Sequence, residues 1–293
     1  MTRIAIIAAM PDELKPLTRS WQHTRSNGVD LWRQSHDSGE WIAACAGAGV
    51  AAATRAFAEV ESSGPIDVVI SIGWAGALRP EFLPGQAYCA TGVIDSRTGE
   101  RFTTSGCSEG PDALKGHGSS RAAETQKNGA ALAAVGMQTA NLSYSQGLKP
   151  TNFYSAGCGT AKAVPFQGDL WVVTTPRVAD AAEKQRLVSA YSASMVEMEA
   201  AAIARLAQMR EIPFYCVKGI SDGYSEKLPD FNRFILPNGS FRLARFVLFA
   251  ALRPRHWLPL MRMGENSKSA SRRIAERVLV ILNKEGNIKK SND

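Results

Sequence analysis

The sequence predicts an α/β fold, with helices packed on both faces of a largely parallel or mixed sheet. Three observations predict it. Apolar strand-like runs alternate with helical stretches from the first residues to about Phe234. Ile66–Ile72 is a short β-branched run of the kind found at the centre of a parallel sheet. A chain of 293 residues is also long enough to bury a sizeable core in one large domain.

Arg3–Ala9 reads as a buried strand, and Pro11 as the first turn of a helix with Asp12 and Glu13 at its positive end. Leu31–Arg33 and Trp41–Cys45 read as a hairpin that turns at His36-Asp37-Ser38-Gly39. Ala46-Gly47-Ala48-Gly49 leads into a helix from Val50 to Val60. After the Ile66–Ile72 strand, Gly73-Trp74-Ala75-Gly76-Ala77-Leu78 reads as a tight loop of small residues. Pro84-Gly85 then turns the chain into a strand from Ala87 to Ile94. From about 103 to 165 the composition shifts to Gly, Ser, Ala and Thr and the hydrophobic period fades. That stretch is expected to be a low-complexity, partly disordered insertion within a domain spanning 1–238. Order returns at Leu170–Thr174, followed by a helix from about Ala179 to Tyr191, a strand near Ser194–Val196, a helix opening at Glu199 and a strand at Phe214–Val217. Beyond Phe234, Phe241–Leu252 and Ser267–Leu282 read as two helices of a basic C-terminal extension, 239–293.

Bulk properties exclude several function classes. No apolar run is long enough to span a bilayer, and the N-terminus passes straight into a strand without a signal-peptide layout, so a cytoplasmic enzyme is expected. Five cysteines at 45, 89, 107, 158 and 216 form no Cys-x-x-Cys pair. Cys45, Cys89 and Cys216 lie in apolar contexts and read as buried thiols. The four histidines have no metal-ligand spacing, and neither a metal nor an organic cofactor is expected. The net charge of +7 belongs to the tail: from Gly239 on, twelve Lys and Arg against four Asp and Glu give +8, which leaves −1 for the rest. Nucleic-acid binding by the whole chain is therefore not expected.

Ligands in open α/β sheets bind beyond the carboxyl ends of the strands. Glu13, Glu199 and Asp222 each follow a strand and fall at that end, with Gly73 and Gly76, whose lack of a side chain lets backbone approach a ligand. Several acids at one end of a sheet suit cleavage of a glycosidic bond. The leaving group needs a proton, and an oxocarbenium-like sugar needs nearby anionic acceptors.

These residues carry a resemblance. Ile7-Ala8-Ala9-Met10-x-x-Glu13, Ser71-Ile72-Gly73-Trp74-Ala75-Gly76, Val196-Glu197-Met198-Glu199-Ala200 and Ile220-Ser221-Asp222 stand in the order found in the purine nucleoside phosphorylase superfamily. Within it the chain most resembles the methylthioadenosine/S-adenosylhomocysteine nucleosidases, over roughly 3–101 and 173–234, and it also resembles hopanoid-associated nucleoside phosphorylases. The resemblance implies a three-layer α/β/α fold with a central mixed sheet, an adenine-nucleoside substrate and a role in nucleoside catabolism or methionine salvage. It also implies a homodimer with a partner residue near the 5′ pocket. By the same resemblance, Asp222 protonates the purine and Glu13 activates water, with Asp12 the alternative for the second role. Glu199 holds the ribose hydroxyls and Met198 packs on the sugar. Glu197, Ser221, Gly73, Trp74 and Ala75 complete the substrate-binding set, and Val178 is the candidate for the residue that stacks on the base. On this view Asp222 needs desolvation or a neighbouring carboxylate to hold its proton, and Glu199 stays ionised at the N-terminus of its helix. The chain departs from the family at Trp74, where Ser is common, and at Lys218, where Arg is usual and bidentate hydrogen bonding is lost.

Hydrolysis is favoured over phosphorolysis, because no Arg stands beside Gly73 or Gly47 and Glu13 would repel phosphate. Arg55 reads as a surface charge. A phosphate-dependent or lipid-linked (adenosylhopane-type) nucleoside phosphorylase is the alternative, and a non-catalytic nucleoside sensor is weakened by the intact acids. In the tail, Phe241-Arg242-Leu243-Ala244-Arg245-Phe246-Val247-Leu248-Phe249 is amphipathic. It reads either as a helix packed on the domain or as a peripheral membrane contact.

Overall fold

The computed structural model describes residues 2–36, 39–106, 169–226, 228–236 and 238–288. Most of the expected insertion, with Cys107 and Cys158, and the turn residues Asp37 and Ser38 lie outside the described residues. Among the described residues eleven strands form one mixed sheet. In chain order they are β1 (Thr2–Ala8), β2 (Gln22–Ser26), β3 (Val29–His36), β4 (Gly39–Cys45), β5 (Val68–Ala77), β6 (Ala87–Cys89), β7 (Gly92–Asp95), β8 (Arg101–Thr103), β9 (Trp171–Thr174), β10 (Met195–Glu197) and β11 (Phe214–Asp222). The helices are α1 (Pro11–Leu14), α2 (Val50–Ser62), α3 (Ala181–Tyr191), α4 (Ala200–Met209), α5 (Leu243–Ala251) and α6 (Trp257–Ile288). The strands lie in the order β2-β3-β4-β1-β5-β10-β9-β7-β8, and β11 pairs with both β5 and β6.

Period-2 alternation sorts the side chains into layers. On β1, Ala5 and Ile7 face α2 and α4, where Phe57, Val60, Ile203 and Ala204 are buried. Ile4, Ile6 and Ala8 face the opposite layer, with Leu14, Ile274, Val278 and Leu282. The result is the expected three-layer α/β/α arrangement around a mixed sheet. The second half of the basic tail is part of it, since α6 lays Ala270, Ile274, Val278, Ile281 and Leu282 into the core. Cys45, Cys89 and Cys216 are buried.

Four elements differ from the expectation, the first being α6, which begins at Trp257 and runs to Ile288 where Ser267–Leu282 was expected. Gly73–Leu78 is not a loop: β5 continues through Ala77, because β11 pairs along it to Gly76 while β10 takes over its other edge at Gly76 and Ala77. Ala87–Ile94 is two strands, β6 and β7, with different neighbours. β2 was not expected; it pairs with β3 across Asn27-Gly28, both at positive φ, the residue pair that a two-residue hairpin turn favours.

Candidate active site

β5 is the floor of the site. Ile70 and Ile72 point toward α6, so period 2 sends Trp74 there as well and leaves Gly73 on the other face. Gly73 has φ +149°, and a Cβ on it would stand 3.1 Å from Oε1 of Glu13. Glu13, in α1, is held by three backbone donors: Ala9 N–H and Met10 N–H to Oε2, both at 2.9 Å, and Trp74 N–H to Oε1 at 2.8 Å. Burial raises its carboxyl above the ordinary value against the pull of those donors and of Lys218.

β10 delivers two further carboxylates with different fates. Glu197 turns inward. Its oxygens accept from Lys218 Nζ at 2.9 Å, Thr174 Oγ1 at 2.5 Å, and the N–H groups of Glu199 and Ala200. It therefore caps α4 and neutralises the lysine at once. Burial works against its charge, but the Lys218 ammonium and the Thr174 hydroxyl overcome it and hold the carboxyl below its usual range. Lys218 also reaches Ser71 Oγ at 3.2 Å and Ile72 O at 3.3 Å, and its pKa is raised despite burial, by Glu197 above all. Glu199 faces the other way. Its Oε1 accepts from Gly49 N–H at 2.6 Å, and burial, reinforced by the Glu197 charge, pushes its carboxyl up to about 8. The expectation that the helix N-terminus keeps Glu199 ionised is corrected here: the first free N–H groups of α4 are taken by Glu197 and by Thr174 Oγ1, which accepts from Ala201.

Asp222 ends β11 beside Gly76, whose missing side chain makes room for it; a Cβ there would stand 3.1 Å from Asp222 Oδ2 and from Lys184 Cε. Ser221 Oγ donates to Asp222 Oδ1 at 2.6 Å. Lys184 Nζ, from α3, donates to Oδ2 at 2.5 Å and to Gly223 O at 2.7 Å. Asp222 is buried, and of the two expected means of holding a proton the neighbouring carboxylate is not the one in contact: its charged neighbour is Lys184. Asp222 opens on a cavity of about 460 Å³ that Val178, Phe231 and Asn232 also line. Asn232 ties Val178 in both directions, accepting from its N–H at 2.8 Å and donating to its carbonyl at 3.0 Å. A second cavity, of about 380 Å³, is lined by Gly49, Val50, Met198, Asn232, Leu236 and the two cations Arg97 and Arg177.

The model of the Phosphorylase superfamily matches residues 3–249. The chain belongs to that superfamily. Solved structures of the same fold include the 5′-methylthioadenosine/S-adenosylhomocysteine nucleosidase of Helicobacter pylori with butyl-thio-DADMe-Immucillin-A (16% identity, TM-score 0.59, 97% of this chain and 99% of the other). They also include the H. pylori futalosine hydrolase (13%, 0.57, 97% and 98%) and the 5′-methylthioadenosine nucleosidase of Arabidopsis thaliana (12%, 0.58, 97% and 95%). No curated protein matches the chain in sequence.

Within this superfamily fold the expected site residues separate into two groups. Asp222 and Val178 line the first cavity, and Met198 the second. Glu13 stands over Gly73, and Glu199 is tied to Gly49, which lines the second cavity. Four others serve them from behind. Glu197 is spent on Lys218 and α4. Ser221 donates to Asp222. Ala75 sits in the core, its carbonyl 3.3 Å from Ser221 Oγ. Trp74 lines neither described cavity; its Nε1 donates to Ser271 of α6 at 3.0 Å, and its backbone N–H donates to Glu13. Arg55 is exposed, as expected of a surface charge, and its guanidinium donates to Ala46 O and Asn238 O. Lys184, Phe231, Asn232, Arg97 and Arg177 were not foreseen. The one available signal was Lys184 itself, three residues before Leu187 on the inward stripe of α3.

Proposed function

We propose that the chain hydrolyses the N-glycosidic bond of an adenine nucleoside. In this reading the purine occupies the cavity beside Asp222, with Phe231 and Val178 against the ring, and the ribose lies between Glu199, Met198 and Glu13. The glycosidic bond breaks with its electron pair leaving on the purine. The proton delivered to the base comes from Lys184 Nζ, 2.5 Å away, through the Asp222 carboxylate, and the proton that Glu13 takes from water restores the pair once the products leave. Glu199 accepts from the ribose hydroxyls as positive charge grows on the sugar, and Glu13 takes a proton from the attacking water. The products are free base and free sugar.

The observation that carries the choice of water is the setting of Glu13. The N–H groups around Gly73 that an anion would need, those of Ala9, Met10 and Trp74, already donate to this carboxylate. The apolar members of the second cavity, Val50, Met198, Ile235 and Leu236, favour an apolar 5′ substituent, methylthio or lipid-linked. A second reading, phosphorolysis, is favoured by Arg97 and Arg177 in that same cavity.

The test is adenine release from methylthioadenosine, S-adenosylhomocysteine and adenosine with and without phosphate, repeated with Asp222→Asn and Glu13→Gln. Phosphate-independent release, reduced about 10²–10⁴-fold by either substitution, is the expected result. Release that requires phosphate, and falls with Arg97→Ala or Arg177→Ala, would move the assignment to a phosphorylase.

A further inference from the structure

Seven of the twelve exposed large apolar side chains among the described residues lie between 243 and 261. On α5 they form one face: Leu243, Val247, Leu248 and, just past its end, Leu252 follow helical spacing and are 55–70% exposed. Trp257, Leu258 and Met261 continue the apolar surface along the start of α6. The opposite face of α5 is anchored. Phe246 and Phe249 pack on Phe234 with ring centroids 5.4 and 5.3 Å apart, and Phe246 also meets Phe231 and Phe241. Fold stability therefore does not account for the outer face.

Its charge does indicate a partner. Between 239 and 263 the chain has five arginines, at 242, 245, 253, 255 and 262, all exposed, and no Asp or Glu. An apolar face with cations and no anions fits an anionic lipid surface, where the side chains enter the acyl boundary and the guanidinium groups stay among the headgroups. A second copy fits poorly, because two-fold pairing of this face would set arginines against arginines. No described helix is long and apolar enough to cross a membrane, which leaves adsorption rather than insertion.

We propose that α5 and the first turns of α6 form a docking surface for an anionic bilayer. The surface begins a few residues after Leu236 and Gly239, which line the second cavity, so docking sets that cavity beside the membrane. If the nucleosidase reading above holds, a substrate with a lipid-like 5′ substituent reaches the site from the bilayer.

The test is co-sedimentation of the full chain, without substrate, on phosphatidylcholine vesicles with and without phosphatidylglycerol. Binding to the anionic vesicles only, weakened by salt, is expected. The paired substitution Val247→Glu and Leu248→Glu is expected to abolish it. Arg245→Glu is expected to weaken it about fivefold or more, the equivalent of about 1 kcal/mol per basic residue. Both variants should keep the parent's circular dichroism and its nucleoside-cleaving rate in solution. Absence of binding at low salt overturns the proposal, as does binding that the Val247→Glu, Leu248→Glu pair leaves unchanged. A dimer in vesicle-free solution that the same pair dissociates overturns it too, by assigning the face to a second copy. Because binding is read without substrate, a failed nucleosidase assay does not affect this result.

Discussion

Lys218→Met removes one half of the most deeply buried ion pair in the described protein. Both side chains are 0% exposed, and Nζ lies 2.9 Å from Glu197 Oε2. Methionine keeps most of the lysine volume, so no large cavity forms and the cost is electrostatic. The Glu197 carboxylate would be left buried with Thr174 and two N–H groups but without a cation. Removing one partner of a buried pair costs about 3–5 kcal/mol. That is a large share of a typical stability of about 5–15 kcal/mol. For a domain of this size it corresponds to a fall in melting temperature of roughly 6–20 °C. Glu197→Gln alone should cost less, because the amide can still cap α4 through its oxygen, although it leaves Lys218 charged. The double variant Glu197→Gln, Lys218→Met should recover much of the loss, since it leaves no unpaired charge. The assay is urea unfolding of the four proteins, read as a double-mutant cycle. A Lys218→Met protein within about 1 kcal/mol of the parent, or a double variant less stable than the sum of the singles, would refute the assignment of Lys218 to internal neutralisation.

Further outcomes follow from the same geometry. With the Glu199 carboxyl pushed up to about 8, kcat/KM should rise with pH as the group ionises to accept ribose hydroxyls, and Glu199→Gln should flatten that limb of the profile. The sign for stability is opposite: a carboxyl raised by folding contributes stability present below its ordinary value of 4.5 and lost as pH rises through about 8, which urea midpoints across that range would reveal. Gly73→Ala should cost about 1 kcal/mol or more at φ +149° and lower kcat by displacing Glu13, with KM less affected; steady-state kinetics check it. Trp74→Phe should leave KM unchanged and cost about 0.5–1.5 kcal/mol through the lost bond to Ser271, whereas an indole in the substrate pocket would have made KM move. Lys184→Met should reduce adenine release about as strongly as Asp222→Asn, and Lys184→Arg should rescue it in part if the cation positions Asp222.

The sequence made the layers legible because they rest on local periodicity. β1 and α2 follow from their own residues, and the order of the four motifs placed the acids at one end of the sheet. What was misread was often written in the same period. Counting by two from Ile70 and Ile72 already sends Trp74 to the α6 face, away from both cavities. Asn27-Gly28 already announces the hairpin that opens β2. Other features had no local signal. Phe231, Asn232, Arg97 and Arg177 converge on the two cavities from segments whose own patterns are unremarkable, and only the closed fold makes them neighbours.

The acids show why residue type did not reveal protonation state. Glu197 and Glu199 are two residues apart at the mouth of one helix, and a helix N-terminus favours a carboxylate at either. The structure gives that terminus to Glu197, because Thr174 from β9 and Lys218 from β11 converge on it. Burial, and after it the field of a Glu197 that is charged and fixed, hold Glu199 back from ionising. One carboxylate is therefore spent so that the next arrives in the ligand-free site ready to release a proton when a sugar hydroxyl takes its place as donor. Glu197, named from sequence as a contact to substrate, would then act on substrate through Glu199. Glu197→Gln should accordingly move the Glu199-dependent limb of kcat/KM to lower pH, an effect that a purely structural cap would not produce.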